Sequence, residues 1–416
     1  MGRSTQGGWS DVLKAEWLPA LTVLLGGVLL HSMNVLIVAT VLPSIVAEVG
    51  GATMMSWPTT AFLASSILAA TCTGLLTVAI GARSAFCAGA LIFGVGALLC
   101  AHAASMGHFI AGRFVQGFGG GLLAAVAYIL VRSTFPEPTW PRVRRERAGE
   151  FPRVPGARVA LICLAIVALS SAAVMDAPVV KGGLIALTLA ALAGMLRLDR
   201  SASVRLLPSD AFSLRSVTGV GLWSTMLLAI AYSPLQIFVP LFLQTLHGFE
   251  PLGAGYAVAA SSLGWTIAAL AVAGLSNLWS RRMLILGPAA MAIGLVGLGV
   301  LGASGPIAGL LLAIVLVGLG IGMCWAFVAQ RVMGGALPGD ATIAASAMPT
   351  VQQVGLALGG AIAGLVANMA GISGDDVAGI AQAAFWVPVS FTCAAVVAGG
   401  MGLRLALLTK RSAVKG

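Results

Sequence analysis

Arg113 opens the run Arg113-Phe-Val-Gln116-Gly117-Phe-Gly119-Gly120-Gly121, inside an apolar stretch that extends from Phe109 to Val131. A guanidinium in hydrocarbon costs roughly 2.5 to 3.5 kcal/mol on insertion scales, so a chain keeps one there with a partner or a water-filled path. Gln116 follows at i,i+3, on the same helical face. Two uses compete for Arg113. It can serve a substrate or ion path, or it can snorkel to the nearer interface, since it lies about a turn and a half from the end of its segment.

Other candidates for a ligand path are polar or aromatic side chains set inside apolar segments. His31, Asn34 and Tyr128 come from the first half of the chain; Tyr232, Gln236, Trp265, Trp325, Gln330, Gln352 and Gln353 come from the second. Aromatic rings with few polar groups suit lipophilic or amphipathic ligands, cations included. Taken singly, most of these residues read more readily as packing residues or interface anchors. Tyr232 and Gln236 are the exception, because they share a face at i,i+4 between Pro234 and Pro240, which can break a helix and free carbonyls toward a cavity. Proton coupling would need a titratable group inside the membrane, and the candidates are few: His31, Glu48 and Asp176. The 13 acidic residues lie nearly all between apolar segments, and no span carries paired carboxylates. There is no phosphate loop or nucleophile elbow either, so no enzyme and no cofactor are expected. The six cysteines have neither metal-ligand nor paired spacing, and no metal is expected.

These residues need helices to hold them. With 59% hydrophobic and 9% charged residues and a mean hydropathy of +1.02, the chain is too apolar for soluble domains of its length. Stretches of about 20 apolar residues, enough to cross roughly 30 Å of hydrocarbon, recur throughout. Twelve are read, over 19–43, 57–80, 84–104, 108–132, 159–178, 182–198, 216–246, 252–276, 283–303, 306–331, 343–370 and 380–408. They are continuously apolar, without the alternation of barrel strands, so the expected fold is all-α: a polytopic membrane protein of about twelve transmembrane helices. Span six, at 182–198, is short for a crossing.

The net charge of +10 is a topology signal. The seven arginines from Arg132 to Arg158, Arg83, the group Arg197 to Arg215, Arg281, Arg282, Arg331 and the basic residues at both termini fall on one side; the opposite loops hold only Lys181. The positive-inside rule then places both termini in the cytoplasm of a cell whose inner membrane the chain crosses many times. Contact of the Arg142 to Arg158 loop with anionic lipid is a secondary use of this charge, and a nucleic-acid partner is not expected. The first apolar segment is read as a retained helix that also directs insertion. Polar interruptions at 133–158, rich in proline and arginine, and at 199–215 divide the rest. The expected organisation is an N-terminal bundle, 1–198, a cytoplasmic linker, 199–215, and a C-terminal bundle, 216–416, with substrate held between the halves.

Small residues recur at helical spacing: Gly117 with Gly121, Gly355 with Gly359, Gly360 with Gly364, and a cluster at Gly318, Gly320 and Gly322. Such faces let helices approach closely, or slide when a transporter changes state. Arg113, Gln116, Gly117, Gly119 and Gly120 together resemble the RxxQGxGG motif of the fourth helix in the major facilitator superfamily, among its drug:proton antiporters of the fourteen-span type. The segment Gly74-Leu-Leu76-Thr-Val78-Ala-Ile-Gly81-Ala-Arg83 is similar to that family's loop motif GxLxDxxGRR, with Val78 at the acidic position. Ile37 to Ile45 resembles its first-helix motif, with Asn34 where an aspartate is usual, and Ser346 to Asn368 resembles its penultimate helix.

The resemblance implies a monomeric secondary transporter that exports small hydrophobic or amphipathic compounds by alternating access, with protons as a coupling partner still open. Residue types, spacing and resemblance together give the expected site residues: Arg113, Gln116, Asn34, His31, Tyr128, Tyr232, Gln236 and Trp325 for substrate path or coupling; Gly74, Gly81, Arg83, Gly117, Gly119, Gly120, Gly355 and Gly359 for gating or close packing. One departure stands out. Nothing between Ser133 and Arg197 matches the antiporter fifth helix, and spans five and six look more like the linker pair between bundles in fourteen-span members. Either two helices have been lost in one piece, leaving a transporter or a transport-defective relative, or helices five and six have diverged.

Overall fold

The computed structural model describes residues 40–134, 156–175, 177–202, 205–272, 275–337, 340–372 and 377–415, with Asn34, Ile37 and Val38 ahead of them. Its elements are α1 (Thr40–Val49), a 3-10 turn (Ala52–Met54), α2 (Trp57–Ile80), α3 (Ala82–Ala101), α4 (Met106–Thr134), α5 (Gly156–Val174) and α6 (Pro178–Arg200). The second half continues with α7 (Val217–Ile237), α8 (Val239–His247), α9 (Pro251–Val272), α10 (Asn277–Gly302), α11 (Ile307–Gly334), α12 (Ala341–Met369) and α13 (Val377–Lys415). Among the described residues ten segments are long and apolar enough to cross a membrane, α7 and α8 counting as one. The 24-residue α2 and the shorter apolar α1 stand beside these ten.

Local chemistry sets the element ends. Ser216 caps α7 by accepting the Gly219 amide at 3.0 Å, and Gly248 in the left-handed conformation closes α8. Gly81, at φ 83°, turns the chain from α2 into α3 without a longer loop. The break expected near Pro234 and Pro240 falls at Phe238, between α7 and α8. Pro234 has no amide to offer the Ile230 carbonyl, and the Ser233 hydroxyl bonds that oxygen instead, at 2.8 Å. Span six differs from expectation. It is 23 residues long, not marginal, because Pro178 starts the helix before its apolar run and Arg197, Asp199 and Arg200 continue it beyond.

Packing follows the glycines. A Cβ on Gly117 or Gly121 would overlap the carbonyl oxygens of Phe62 or Ser66 in α2, and one on Gly119 would overlap the Phe93 amide in α3, so α4 lies wedged against both neighbours. In the second half Gly355 and Gly359 bring α12 onto Met226, Ala229 and Ile230 of α7, while Gly318 and Gly322 bring α11 onto Ser261 and Trp265 of α9. Helices in lipid associate through such backbone approach because hydrocarbon supplies no hydrophobic drive between them. α12 also reaches the first half. It packs on α2 and α5, and Asn368 donates to the Thr53 and Ala173 carbonyls at 3.0 and 2.8 Å. Gln244 of α8 makes a second link, donating to the Thr40 carbonyl at 2.8 Å.

Arg158, expected in the loop, is instead buried in the first turn of α5, paired with the buried Asp199 at the end of α6. Asp199 also accepts the Leu206 and Leu207 amides at 2.8 and 3.0 Å. Both oxygens of that carboxylate are therefore hydrogen-bonded, the condition under which a buried ion pair repays its desolvation. Beyond it, Asp340 ahead of α12 accepts the Ser209 amide at 2.9 Å and hydroxyl at 2.6 Å.

Two tests follow from these contacts. Gly318→Val should lower the stability of the purified protein by about 1 to 3 kcal/mol in a thermal unfolding assay, because neither helix can recede without losing its contacts. Gly94→Ala in α3, where nothing lies within 4 Å, should leave it unchanged. The bonds from Ser209, aided by Arg205, hold the Asp340 carboxyl below the usual carboxylate range. A folded-state pKa below the unfolded one stabilises above the unfolded pKa, and the benefit disappears as pH falls through the folded pKa. The parent should thus melt above Ser209→Ala at about pH 6, the gap closing below about pH 4. A gap that persists in acid would contradict this linkage.

Candidate functional site

α4 places Arg113 seven residues inside its first residue, about 10 Å along the axis, and the side chain is 1% exposed. Arg113 does not snorkel. Its Nη1 donates to Asn34 Oδ1 at 2.6 Å and to Gln116 Oε1, while the guanidinium carbon lies 4.1 Å from the centre of the Phe62 ring. Gly96 of α3 and Gly117 make this possible. Without a Cβ, Gly96 lets the Gln116 backbone press against α3, and Gly117 lets α4 approach the Phe62 backbone. Among the described residues the partners are two neutral amides and a ring face, and no carboxylate is among them. The guanidinium is thus held by neutral groups in a buried position, and among the described residues its Nε has no hydrogen-bond partner.

A second cluster forms in the other half. The buried Tyr232 hydroxyl of α7 pairs with Ser261 Oγ of α9 at 3.1 Å. Its ring meets Trp265 edge to face at 5.9 Å between centroids, and Trp265 meets Trp325 of α11 at 5.8 Å. The two half-exposed indoles offer a polarisable aromatic surface with one hydroxyl pair beside it.

Of the residues read from sequence, Arg113, Gln116 and Asn34 meet in one network, and Tyr232, Trp265 and Trp325 in another. Gln236 is half-buried one turn from Tyr232, Gln352 and Gln353 are half-buried in α12, and Gln330 is exposed at the end of α11. Glu48 and Arg83 are exposed. Gly117, Gly119, Gly355 and Gly359 are sites of close helix contact, Gly120 is buried beside them, and Gly74 lies within α2. His31, Asp176 and the side chain of Tyr128 lie outside the described residues. Sequence reading missed Phe62 and Ser261. Neither type is unusual in an apolar helix, and only the packing of α2 on α4 and of α9 on α7 and α11 gives them their positions.

Residues 24–360 match the sequence profile of the Major Facilitator Superfamily. The chain belongs to that superfamily. A probable multidrug-efflux transporter of Mycobacterium tuberculosis, found in two strains, is 30% identical over 442 aligned positions, which take in 90% of this chain and 92% of the relative. The crystal structure of a D-xylose-proton symporter superposes with a TM-score of 0.60 at 15% identity, over 92% of this chain and 96% of that one. That of the nucleoside transporter NupG gives 0.53 at 18% identity, over 92% and 98%. Identities this low speak for the superfamily fold alone. Members of the superfamily are transporters, not enzymes, and the chain is a multi-pass membrane protein. Its aligned positions with the mycobacterial relative outnumber its own 416 residues, so the relative contains sequence that this chain lacks.

Within the superfamily fold the Arg113 network can be tested by its energetics. Gln116→Leu leaves a buried cation short of one acceptor and should destabilise the protein by about 1.5 to 3 kcal/mol in thermal unfolding. Adding Arg113→Met should recover much of that loss, since the pair is then replaced by apolar groups of similar size. Additive losses would mean that the two side chains do not depend on each other.

Proposed function

We propose that this chain exports small hydrophobic or amphipathic compounds across the cytoplasmic membrane by alternating access, as a monomer with both termini in the cytoplasm. The observation that carries the reading is the buried guanidinium of Arg113, which among the described residues meets neutral amides and a ring and no carboxylate. Retaining it costs stability, and a packing role would be served better by an apolar residue. Arg113, held by Asn34 and Gln116, is the coupling centre; Tyr232, Trp265 and Trp325, with Gln236 and Tyr128, form the ligand surface, suited to apolar and cationic compounds. The name of the mycobacterial relative points the same way. The halves 1–198 and 216–416 move about the linker 199–215, with the break at Phe238 and the Gly355 and Gly359 contacts as the bending and sliding points. Proton coupling, where it operates, falls to His31 or Asp176.

A second reading has its own support. Sequence present in the mycobacterial relative is absent here, and a chain short of transport helices could persist as a folded, non-transporting relative.

Flux separates the two. In proteoliposomes loaded with a panel of lipophilic dyes, a pH jump should drive dye movement in the parent. Arg113→Ala should cut the rate at least about tenfold, equivalent to some 1.4 kcal/mol. A parent that moves no compound, with or without a gradient, would favour the non-transporting relative.

A further inference from the structure

A cavity of about 500 Å³ opens beside the start of α10, between the first residue of α7, the last turns of α11 and Thr409 of α13. Its lining includes Ser280, Arg281, Gln330, Arg331 and Thr409. Arg331 is 9% exposed. It donates from Nη1 to the Phe327 carbonyl at 3.1 Å and from Nη2 to Ser280 Oγ at 2.9 Å, and its Nε has no partner. The half-buried Arg281 stands close enough to repel it, and the Arg281 Nε is buried and unpartnered as well. Among the described residues neither arginine has a carboxylate within ion-pair distance. Arg158 shows what this chain does when it compensates a buried guanidinium internally: Asp199 is placed against it.

Two like charges facing one cavity raise the folding cost unless something of opposite charge enters. The surroundings favour an anion over a displaced acidic side chain. Arg281 and Ser280 lie at the start of α10, whose N-terminal amides carry partial positive charge. No acidic residue occupies its first turn, and Ser276 ahead of it makes no side-chain cap. The amide of the exposed Gln330 adds a neutral donor that can bond oxyanion oxygens. The volume holds a phosphate group with room for a substituent, and the edge of the cavity lies at the end of the membrane-spanning helices.

We propose that Arg281 and Arg331 form a binding site for a phosphate-type oxyanion, which bridges α10 and α11. The bound group is the phosphodiester of an anionic phospholipid or a free phosphate; both present the same oxygens to the guanidinium pair. The site is separate from Arg113 and does not depend on which compounds the protein moves. It ties the end of α11, three turns from Gly322 and its contact with Trp265, to the neighbouring helix.

The test measures thermal unfolding of the full chain, purified in detergent and stripped of lipid, with three additions: dioleoylphosphatidylglycerol, dioleoylphosphatidylcholine, or inorganic phosphate balanced against chloride. Stabilisation by phosphatidylglycerol beyond phosphatidylcholine, with no phosphate response, identifies a lipid headgroup. Stabilisation by phosphate alone at millimolar levels identifies a soluble ligand. In either case Arg281→Gln should weaken the midpoint roughly tenfold, and Arg331→Gln at least as much. Arg282→Gln, which alters an exposed guanidinium over the Trp279 ring, should change nothing. Should Arg331→Gln fail to fold, Arg281→Gln carries the test. The proposal is overturned if neither phosphatidylglycerol nor phosphate stabilises the parent beyond its control, or if Arg281→Gln responds as the parent does.

Discussion

Helices in hydrocarbon gain little from burying apolar surface against one another, so how closely their backbones approach decides what else they can hold together. Both side-chain networks depend on this. Gly117 and Gly121 set α4 against the Phe62 and Ser66 backbone of α2, and that approach puts the Phe62 ring beneath the Arg113 guanidinium. Gly318 and Gly322 set α11 against the Ser261 and Trp265 backbone of α9, the two residues that Tyr232 touches. A methyl group at any of these positions would separate the helices and loosen the polar contact beside it. The glycines are thus structural in their immediate contacts, and they act on the candidate sites through the positions they impose.

Buried arginines show the second constraint at three levels of compensation. Arg158 has a carboxylate whose remaining oxygens are satisfied by backbone amides, and the ensemble locks α5 to α6 and to the chain that follows. Among the described residues Arg113 has amide oxygens and a ring, with no carboxylate. Arg331 has a hydroxyl and a helix carbonyl, with a second arginine nearby. Desolvation is costly in each case, and only Arg158 has a carboxylate beside it among the described residues. The pair that is fully compensated joins two helices in place; of the other two, Arg331 lines a cavity and Arg113 is enclosed between α4 and the Phe62 ring of α2.

Much of this was legible from local spacing. Arg113 and Gln116 are one turn apart, so their contact needs nothing beyond a helix. Pro234 and Pro240 predicted the break at Phe238 because proline acts on its own backbone. The charge of Arg158 was visible, but its burial was not, since Asp199 is 41 residues away and only the packing of α5 on α6 joins them. The bond from Arg113 to Asn34 spans 79 residues, and no local spacing pointed to it. Phe62 and Ser261 carried no sequence signal at all. Hydropathy also misjudged α6, because it scores composition, and a helix continues through Arg197 and Arg200 whenever their side chains can reach water.

The attachment of α5 and α6 bears on how a superfamily member tolerates a change in the number of spans. α5 packs on α2 and α12 and is fixed there by the Asn368 bond to the Ala173 carbonyl, while α6 packs mainly on α5 and is largely exposed. The tight glycine contacts of α2 with α4 and α3 with α4, and of α7, α9, α11 and α12, involve neither helix. Removing or exchanging two consecutive spans at this point leaves those contacts whole, and an even number keeps every later helix in its orientation. A relative that carries additional sequence and this shorter chain can therefore share the superfamily fold. What cannot be shared is the surface against which α12 rests: here α5 supplies it, and any motion of α12 relative to the first half must shear against that helix.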